Sequence, residues 1–159
     1  MSTAPDVAAY REAVGSFTTG VTVVTSIGPN GPSGLTASAI CSLSLEPLLM
    51  LACLDLRSRT LRAIEHSRRL AVNVLAADQG DIARAFALKG PEHEKFTGVA
   101  WEERDGVPIL DGVLAWIAGD VRELLPGGDH RIAIVAVTDL AVGEGEPLVY
   151  YRGGFRELA

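Results

Sequence analysis

The sequence predicts a mainly β protein, an antiparallel barrel carrying two or three short helices. Three observations support this. Some seven runs of strand length, rich in Val, Ile, Leu and Thr, recur along the chain. Glycine, at 17 residues, and proline, at 8, punctuate those runs with turn clusters. The runs are mostly joined by tight turns and do not alternate with helices in βαβ units, which disfavours a parallel sheet. At 159 residues, one domain spanning 1–159 is expected, large enough to bury a core.

Val7, Tyr10, Val14 and Phe17 recur at spacings of three and four behind Asp6, a capping residue type. They predict an amphipathic helix to about Gly15 or Ser16, packing as a lid on something larger. Residues 21–27, almost all β-branched, form a strand, and Gly28-Pro29-Asn30-Gly31-Pro32 is its hairpin turn. Further strands are expected over 34–45, 48–54 and 70–75, with Pro47 separating the first two. Residues 60–66 hold two helical turns capped by Thr60. Asp78 begins another short helix, whose Ile82, Ala83, Phe86 and Ala87 share a face, and Gly90-Pro91 ends it. Residues 92–111 read as irregular. Residues 114–125 and 130–140 flank the turn Pro126-Gly127-Gly128-Asp129, and 148–151 make the last strand.

Twenty acidic against fourteen basic side chains give a net charge of −6, which argues against a nucleic-acid or anionic-membrane surface. The longest apolar run, 48–54, is far short of the roughly 20 residues that span a bilayer. The N-terminus has neither a basic start nor an apolar stretch, so a cytoplasmic location is expected. Cys41 and Cys53 have no partners at metal spacing and read as small buried hydrophobes. Gly-Lys-Ser, Gly-Lys-Thr and Gly-x-Ser-x-Gly are absent, and the three histidines lie far apart, so ATP chemistry, an α/β-hydrolase and a helical two-His metal site are disfavoured.

The chemistry that remains is spread thinly. Arg57, Arg59, Arg62, Arg68 and Arg69 crowd into thirteen residues. Ser58 and Thr60 stand among them at a strand-to-helix junction, where helix N–H groups, hydroxyls and a guanidinium can converge on a phosphate. A solvated basic turn with Thr60 as a simple cap explains the same residues. The small, polar segment 36–42 suits close approach of a flat ring, or equally a tightly packed strand pair. Asn73 interrupts an apolar strand and requires buried partners, from a ligand or from backbone. Asp129-His130 at a glycine-rich turn is an acid/base pair or ordinary loop chemistry.

The order of segments is more specific than any one of them. Phe17-Thr18-Thr19-Gly20-Val21-Thr22-Val23-Val24-Thr25, Gly34-Leu35-Thr36-Ala37-Ser38, Ser42-Leu43-Ser44-Leu45-Glu46-Pro47, Ala71-Val72-Asn73-Val74-Leu75, Gly128-Asp129-His130 and Pro147-Leu148-Val149-Tyr150-Tyr151-Arg152-Gly153 arrive in sequence. From about Tyr10 to Phe155 the chain resembles the flavin reductase family of the FMN-binding split barrel, the reductase components of two-component flavin monooxygenases. The resemblance implies a homodimeric, Greek-key split barrel that binds FMN or FAD near the subunit interface. It also implies that NADH or NADPH reduces the flavin, which leaves to serve a separate monooxygenase.

By the same resemblance, Thr36, Ala37, Ser38 and Ser42 line the flavin ring and ribityl chain, and Ser58, Arg59 and Thr60 hold its phosphate. Asn73 and Gln79 match positions near the isoalloxazine, Phe96 borders the pocket, and His130, Tyr151 and Arg152 match the nicotinamide side. Two departures stand out: Val135 and Ala136 replace a common Gly-Glu pair, and Gly119 stands where a Cys is common. Hydride transfer needs stacked rings and excluded water more than a protein acid, so His130 is expected to orient the nicotinamide as a hydrogen-bond donor. The competing readings are a flavin carrier or sensor without a productive nicotinamide site, and a hydrolase built on Asp129, His130 and a serine.

Overall fold

The computed structural model describes residues 4–158. The chain opens with α1 (Val7–Gly15), capped by Asp6, whose carboxylate accepts from the Ala9 amide at 2.7 Å. There follow β1 (Thr19–Gly20), β2 (Thr22–Gly28), β3 (Gly31–Ala37), β4 (Ile40–Leu45), β5 (Leu48–Asp55), α2 (Arg59–Ser67) and β6 (Arg69–Val74). Next come α3 (Gly80–Ala87), α4 (Glu92–Lys95), β7 (Trp101–Arg104) and β8 (Val107–Leu110). The chain ends with β9 (Ala115–Gly127), β10 (His130–Val142), β11 (Val149–Tyr151) and β12 (Gly154–Arg156).

Seven strands form one antiparallel sheet in the order β3-β2-β6-β9-β10-β5-β4. Only Ser38 and Ala39 separate β3 from β4 in the chain, although they are the two edge strands, so the sheet must roll until its edges meet. The core agrees. Val24 of β2, Met50, Ala52 and Leu54 of β5, and Val121 and Val135 of β9 and β10 share one buried cluster. Leu61 and Ile64 of α2 complete it, plugging the rolled sheet. The expected mainly β, antiparallel architecture is therefore present, with the opening of the barrel at the β3/β4 seam.

Several local expectations are corrected. Ser58, and not Thr60, caps α2: its hydroxyl accepts from the Leu61 amide at 3.0 Å, while Thr60 is buried against Ser33. The run 34–45 is two strands, not one. The second expected helix begins at Gly80 and ends at Ala87, ahead of Gly90-Pro91. Residues 92–111 are ordered as α4 and the β7/β8 hairpin, whose Asp105-Gly106 turn has φ of 48° and 80° at its two central residues. Asp-Gly is the dipeptide such a turn favours, and the charged Glu102, Glu103 and Arg104 beside it hid the alternation. Cys41 is exposed and Cys53 half-buried; both are free thiols, and burial followed by the neighbouring Cys41 pushes the Cys53 thiol up.

Two close approaches shape the barrel. At Gly28 a Cβ would sit 2.9 Å from the Ala63 Cβ, so this glycine lets α2 lie directly on the end of β2. At Gly119 a Cβ would run into the Ala136 carbonyl and come within 2.8 Å of Val135 Cγ1, so the β9/β10 ladder closes over a missing side chain. No residue of α1 is buried within the chain, and Val7, Tyr10, Val14 and Phe17 stay 51–78% exposed. The predicted lid thus has its apolar stripe but covers nothing in its own chain. Among the described residues no helix is long and apolar enough to cross a membrane.

Candidate functional site

The end of β5 and the start of α2 form one wall of a groove of about 500 Å³. Opposite lie Phe86 and the loop from Ala87 to Gly90, and Leu35 and Thr36 of β3 lie along its side. Four cations, Arg57, Arg59, Lys89 and Lys95, face two carboxylates, Asp55 and Glu92. Both carboxylates are already engaged. Asp55 accepts from the Arg57 backbone at 2.7 Å and from its guanidinium, which hold the Asp55 carboxyl below its ordinary value, the side-chain bonds more strongly. Glu92 accepts from the Ser33 hydroxyl at 2.8 Å, the Gly34 amide at 2.9 Å and Lys95 Nζ at 3.0 Å. Lys95, 9% exposed, also donates to the Gly34 carbonyl and so fixes α4 to β3. Arg59 is spent only on the Gly90 carbonyl at 3.1 Å, and Lys89 has no hydrogen-bond partner among the described residues.

A groove with surplus positive charge at the N-terminal end of α2 suits a dianionic phosphate. Ser58 and Arg59 line it as the sequence predicts, whereas Thr60 lies beneath, holding Ser33 at 3.0 Å. Sequence reasoning missed Lys89, at the end of the expected second helix, and Glu92 and Lys95, from the stretch read as irregular; none of them stands in a local motif.

The other expected residues fall into four groups. Thr36 donates to the Ala83 carbonyl at 2.6 Å, and Ala37, Ser38 and Ser42 continue along the β3/β4 seam, with both serines exposed. This leaves a strip of small side chains leading away from the cationic groove. Asn73, Gln79 and Phe96 lie underneath. Asn73 is fully buried, donating to the Val23 carbonyl and Thr25 Oγ1, each at 3.1 Å, and accepting from the Leu110 amide at 2.9 Å. Gln79 ties the Ala76 amide to the Asp111 carbonyl. Phe96 packs edge-on against Phe86, a groove residue, with ring centroids 4.9 Å apart. Of the three, Phe96 backs a groove wall directly, while Asn73 and Gln79 tie together elements that do not line it.

His130 and the Tyr151-Arg152 pair make separate clusters. His130 opens β10 opposite Asp55, and the Asp129 carbonyl receives the Leu56 amide, so the turn lies against the end of β5 that leads to the groove. Its Nδ1 is 2.7 Å from the Asp129 carboxylate, which this bond and the imidazole's charge hold below its ordinary value. An ionised carboxylate only accepts, so Nδ1 donates to Asp129 and Nε2 is the ring nitrogen left free. Arg152, at φ 45°, docks on the end of α1, its amide to the Gly15 carbonyl at 3.0 Å and its guanidinium to Ser16 Oγ. That guanidinium also lies 5.4 Å from the Tyr151 ring centroid. Among the described residues no hydrogen bond or ion pair joins this cluster to His130.

A family model described as a flavin reductase like domain matches residues 14–159. The reductase component of 4-nitrophenol 4-monooxygenase/4-nitrocatechol 2-monooxygenase from Rhodococcus opacus is 40% identical over 150 residues, covering 94% of this chain and 80% of that protein. A flavin-dependent monooxygenase reductase subunit from Mycobacterium tuberculosis is 37% identical over 159 residues, covering 98% of this chain and 84% of its own length. Among solved structures, an NADH:FAD oxidoreductase from Streptomyces globisporus, in complex with NAD and FAD fragments, superposes with a TM-score of 0.90 at 33% identity, covering 97% of this chain and 93% of that one.

Proposed function

We propose, from the premise that this chain belongs to the flavin reductase like domain family, that it transfers hydride from NADH or NADPH to FMN or FAD and supplies reduced flavin to a separate monooxygenase. The observation that carries this reading is the cationic groove at the start of α2, whose Arg59, free of any carboxylate among the described residues, and Lys89 fit a flavin phosphate in an otherwise acidic protein. When bound, the flavin supplies the hydride-accepting ring nitrogen and the nicotinamide supplies the hydride.

The residues of the chain bind and orient. Ser58 and Arg59 hold the phosphate at the groove mouth, with the charge of Lys89 beside them. The Thr36, Ala37, Ser38 and Ser42 strip admits a planar ring because it offers no bulky side chain. Thr60 and Phe96 keep these walls in place. His130, steered by Asp129 through Nδ1, presents Nε2 as the hydrogen-bonding atom that orients a nicotinamide through its carboxamide; no proton need leave it. The contacts to the anion lie in an exposed groove, which suits a flavin that must depart.

Tyr151 and Arg152 are assigned to the nicotinamide side within a homodimer. The bare apolar stripe of α1, which ends at the residues Arg152 grips, favours a second copy as its cover. We place the activity in the cytoplasm, where free thiols such as Cys41 persist. The test is steady-state oxidation of NADH and of NADPH with each flavin, alongside sedimentation at micromolar concentration. Flavin-dependent oxidation by a dimer is expected. Flavin binding without oxidation of either donor would establish the carrier reading, and a fully active monomer would remove the dimer.

A further inference from the structure

A second groove, of about 590 Å³, lies on the far side of Arg59 between the β2/β3 hairpin, the outer face of α2 and the start of α4. Arg59 and Glu92 line both grooves, so the two adjoin across these side chains. Arg59, Arg62 and His66 follow at i, i+3 and i+7, which puts them in one stripe along α2. At about 1.5 Å per residue the stripe runs roughly 10 Å from the phosphate groove. His93 of α4 faces the same space, as do Pro29 and Pro32 of the hairpin. Glu92 is its acidic neighbour, and its carboxylate is already taken by Ser33, Gly34 and Lys95. Among the described residues the side chains of Arg62, His66 and His93 have neither hydrogen-bond nor ion-pair partners.

We infer that this groove takes the adenylate half of FAD, with the second phosphate beside Arg62 and the adenine against His66, His93 and the prolines. The inference rests on the flavin phosphate lying at Ser58 and Arg59, as proposed above. A lone phosphate would leave most of the space unfilled, whereas a guanidinium and two imidazoles offer both positive charge and flat faces to a purine. The direction of the stripe decides which dinucleotide: it begins at the flavin phosphate, where FAD and FMN diverge. Recognition on these exposed side chains adds selectivity without slowing release greatly.

The experiment measures dissociation constants for FAD, FMN and riboflavin in wild type, Arg62→Ala and Arg62→Ala/His66→Ala, with NADH KM determined using FMN as acceptor. FAD binding is expected to weaken about fivefold in the single variant and about tenfold in the double, while FMN changes less than about twofold. Because both positions are exposed on α2, circular dichroism should show the wild-type fold. Equal losses for FAD and FMN, or no loss for either, would overturn the adenylate assignment while leaving the phosphate site standing. A rise in NADH KM with an unchanged FAD-to-FMN ratio would also overturn it, transferring the groove to the donor. Wild-type FMN binding no tighter than riboflavin would remove the phosphate site itself, and this inference with it.

Discussion

Replacing Asn73 by Ala separates a residue that touches the flavin from one that holds the barrel beneath it. The Asn73 side chain joins three elements: β2 through the Val23 carbonyl and Thr25 Oγ1, its own β6, and β8 through the Leu110 amide. Thr25 extends the link, donating to the Pro108 carbonyl at 2.6 Å. The substitution removes three buried hydrogen bonds worth about 1 kcal/mol each, and the orphaned Leu110 N–H adds a desolvation cost of about 1 to 3 kcal/mol; partial relaxation leaves a net loss of about 3 to 5 kcal/mol. Against a total stability of about 5 to 15 kcal/mol, the protein should fold but lose about 6 to 20 °C in Tm. Urea unfolding followed by circular dichroism gives the loss, and fluorescence titration at low temperature gives flavin affinity. A framework role predicts a large stability loss with flavin Kd within about threefold of wild type. A loss under about 1 kcal/mol, or a tenfold weaker Kd in a stably folded variant, would refute the reasoning.

Arg59→Ala should weaken FMN about tenfold while leaving riboflavin nearly unchanged, since only FMN carries the phosphate; equal losses in fluorescence titrations would contradict the site. His130→Ala should raise NADH KM without changing flavin affinity, and His130→Asn, whose amide still hydrogen-bonds but cannot act as an acid or base, should recover part of the loss; wild-type kinetics in both variants would remove the nicotinamide role. Lys95→Met should cost about 2 to 3 kcal/mol by stranding Glu92, and adding Glu92→Gln should return part of it in a double-mutant cycle; simple additivity would deny the coupling. Asp55 has a folded-state pKa below its unfolded one, so what it contributes is present above the ordinary carboxylate range and is lost as pH falls through the depressed value. Flavin affinity should therefore owe nothing to Asp55 titration between about pH 5 and 8, and a step there that Asp55→Asn abolishes would contradict the assignment.

The strands were legible because burial writes itself into local pattern: Val21 to Ile27 is β-branched almost throughout and Leu70 to Leu75 almost wholly apolar, and both are largely buried on both faces because they run through the rolled sheet. The basic cluster was legible as a charge anomaly, and Ser58 and Arg59 do line the groove. What local pattern could not carry was partnership. Asn73 stands in an apolar strand whether its amide meets a flavin or a main-chain carbonyl, and only the arrival of β8, from a segment read as irregular, decides between them. Thr60 and Ser58 are both competent caps, separated by a register of two residues that no side chain announces. Nothing in the local sequence marks Lys95 as a buried cation; only the fold of α4 brings it onto Gly34.

The packed pair at Gly119 and Val135 bears on the two departures from the family pattern, since they touch each other. The resemblance puts a Cys at the first position and a Gly at the second, and here the bulk sits on the other strand of the ladder. Neither exchange is neutral alone. Cys at 119 would meet the fixed carbonyl of Ala136, which cannot rotate aside as a side chain would, whereas Gly at 135 would leave a void and a looser strand costing on the order of 2 to 4 kcal/mol. A void can be survived and a clash with main chain is harder to survive, so the two states communicate through the emptied intermediate. A lineage or library leaving this chain's state is expected to change position 135 before position 119, and one arriving at it to change position 119 first, which makes the order of substitution a property of the fold.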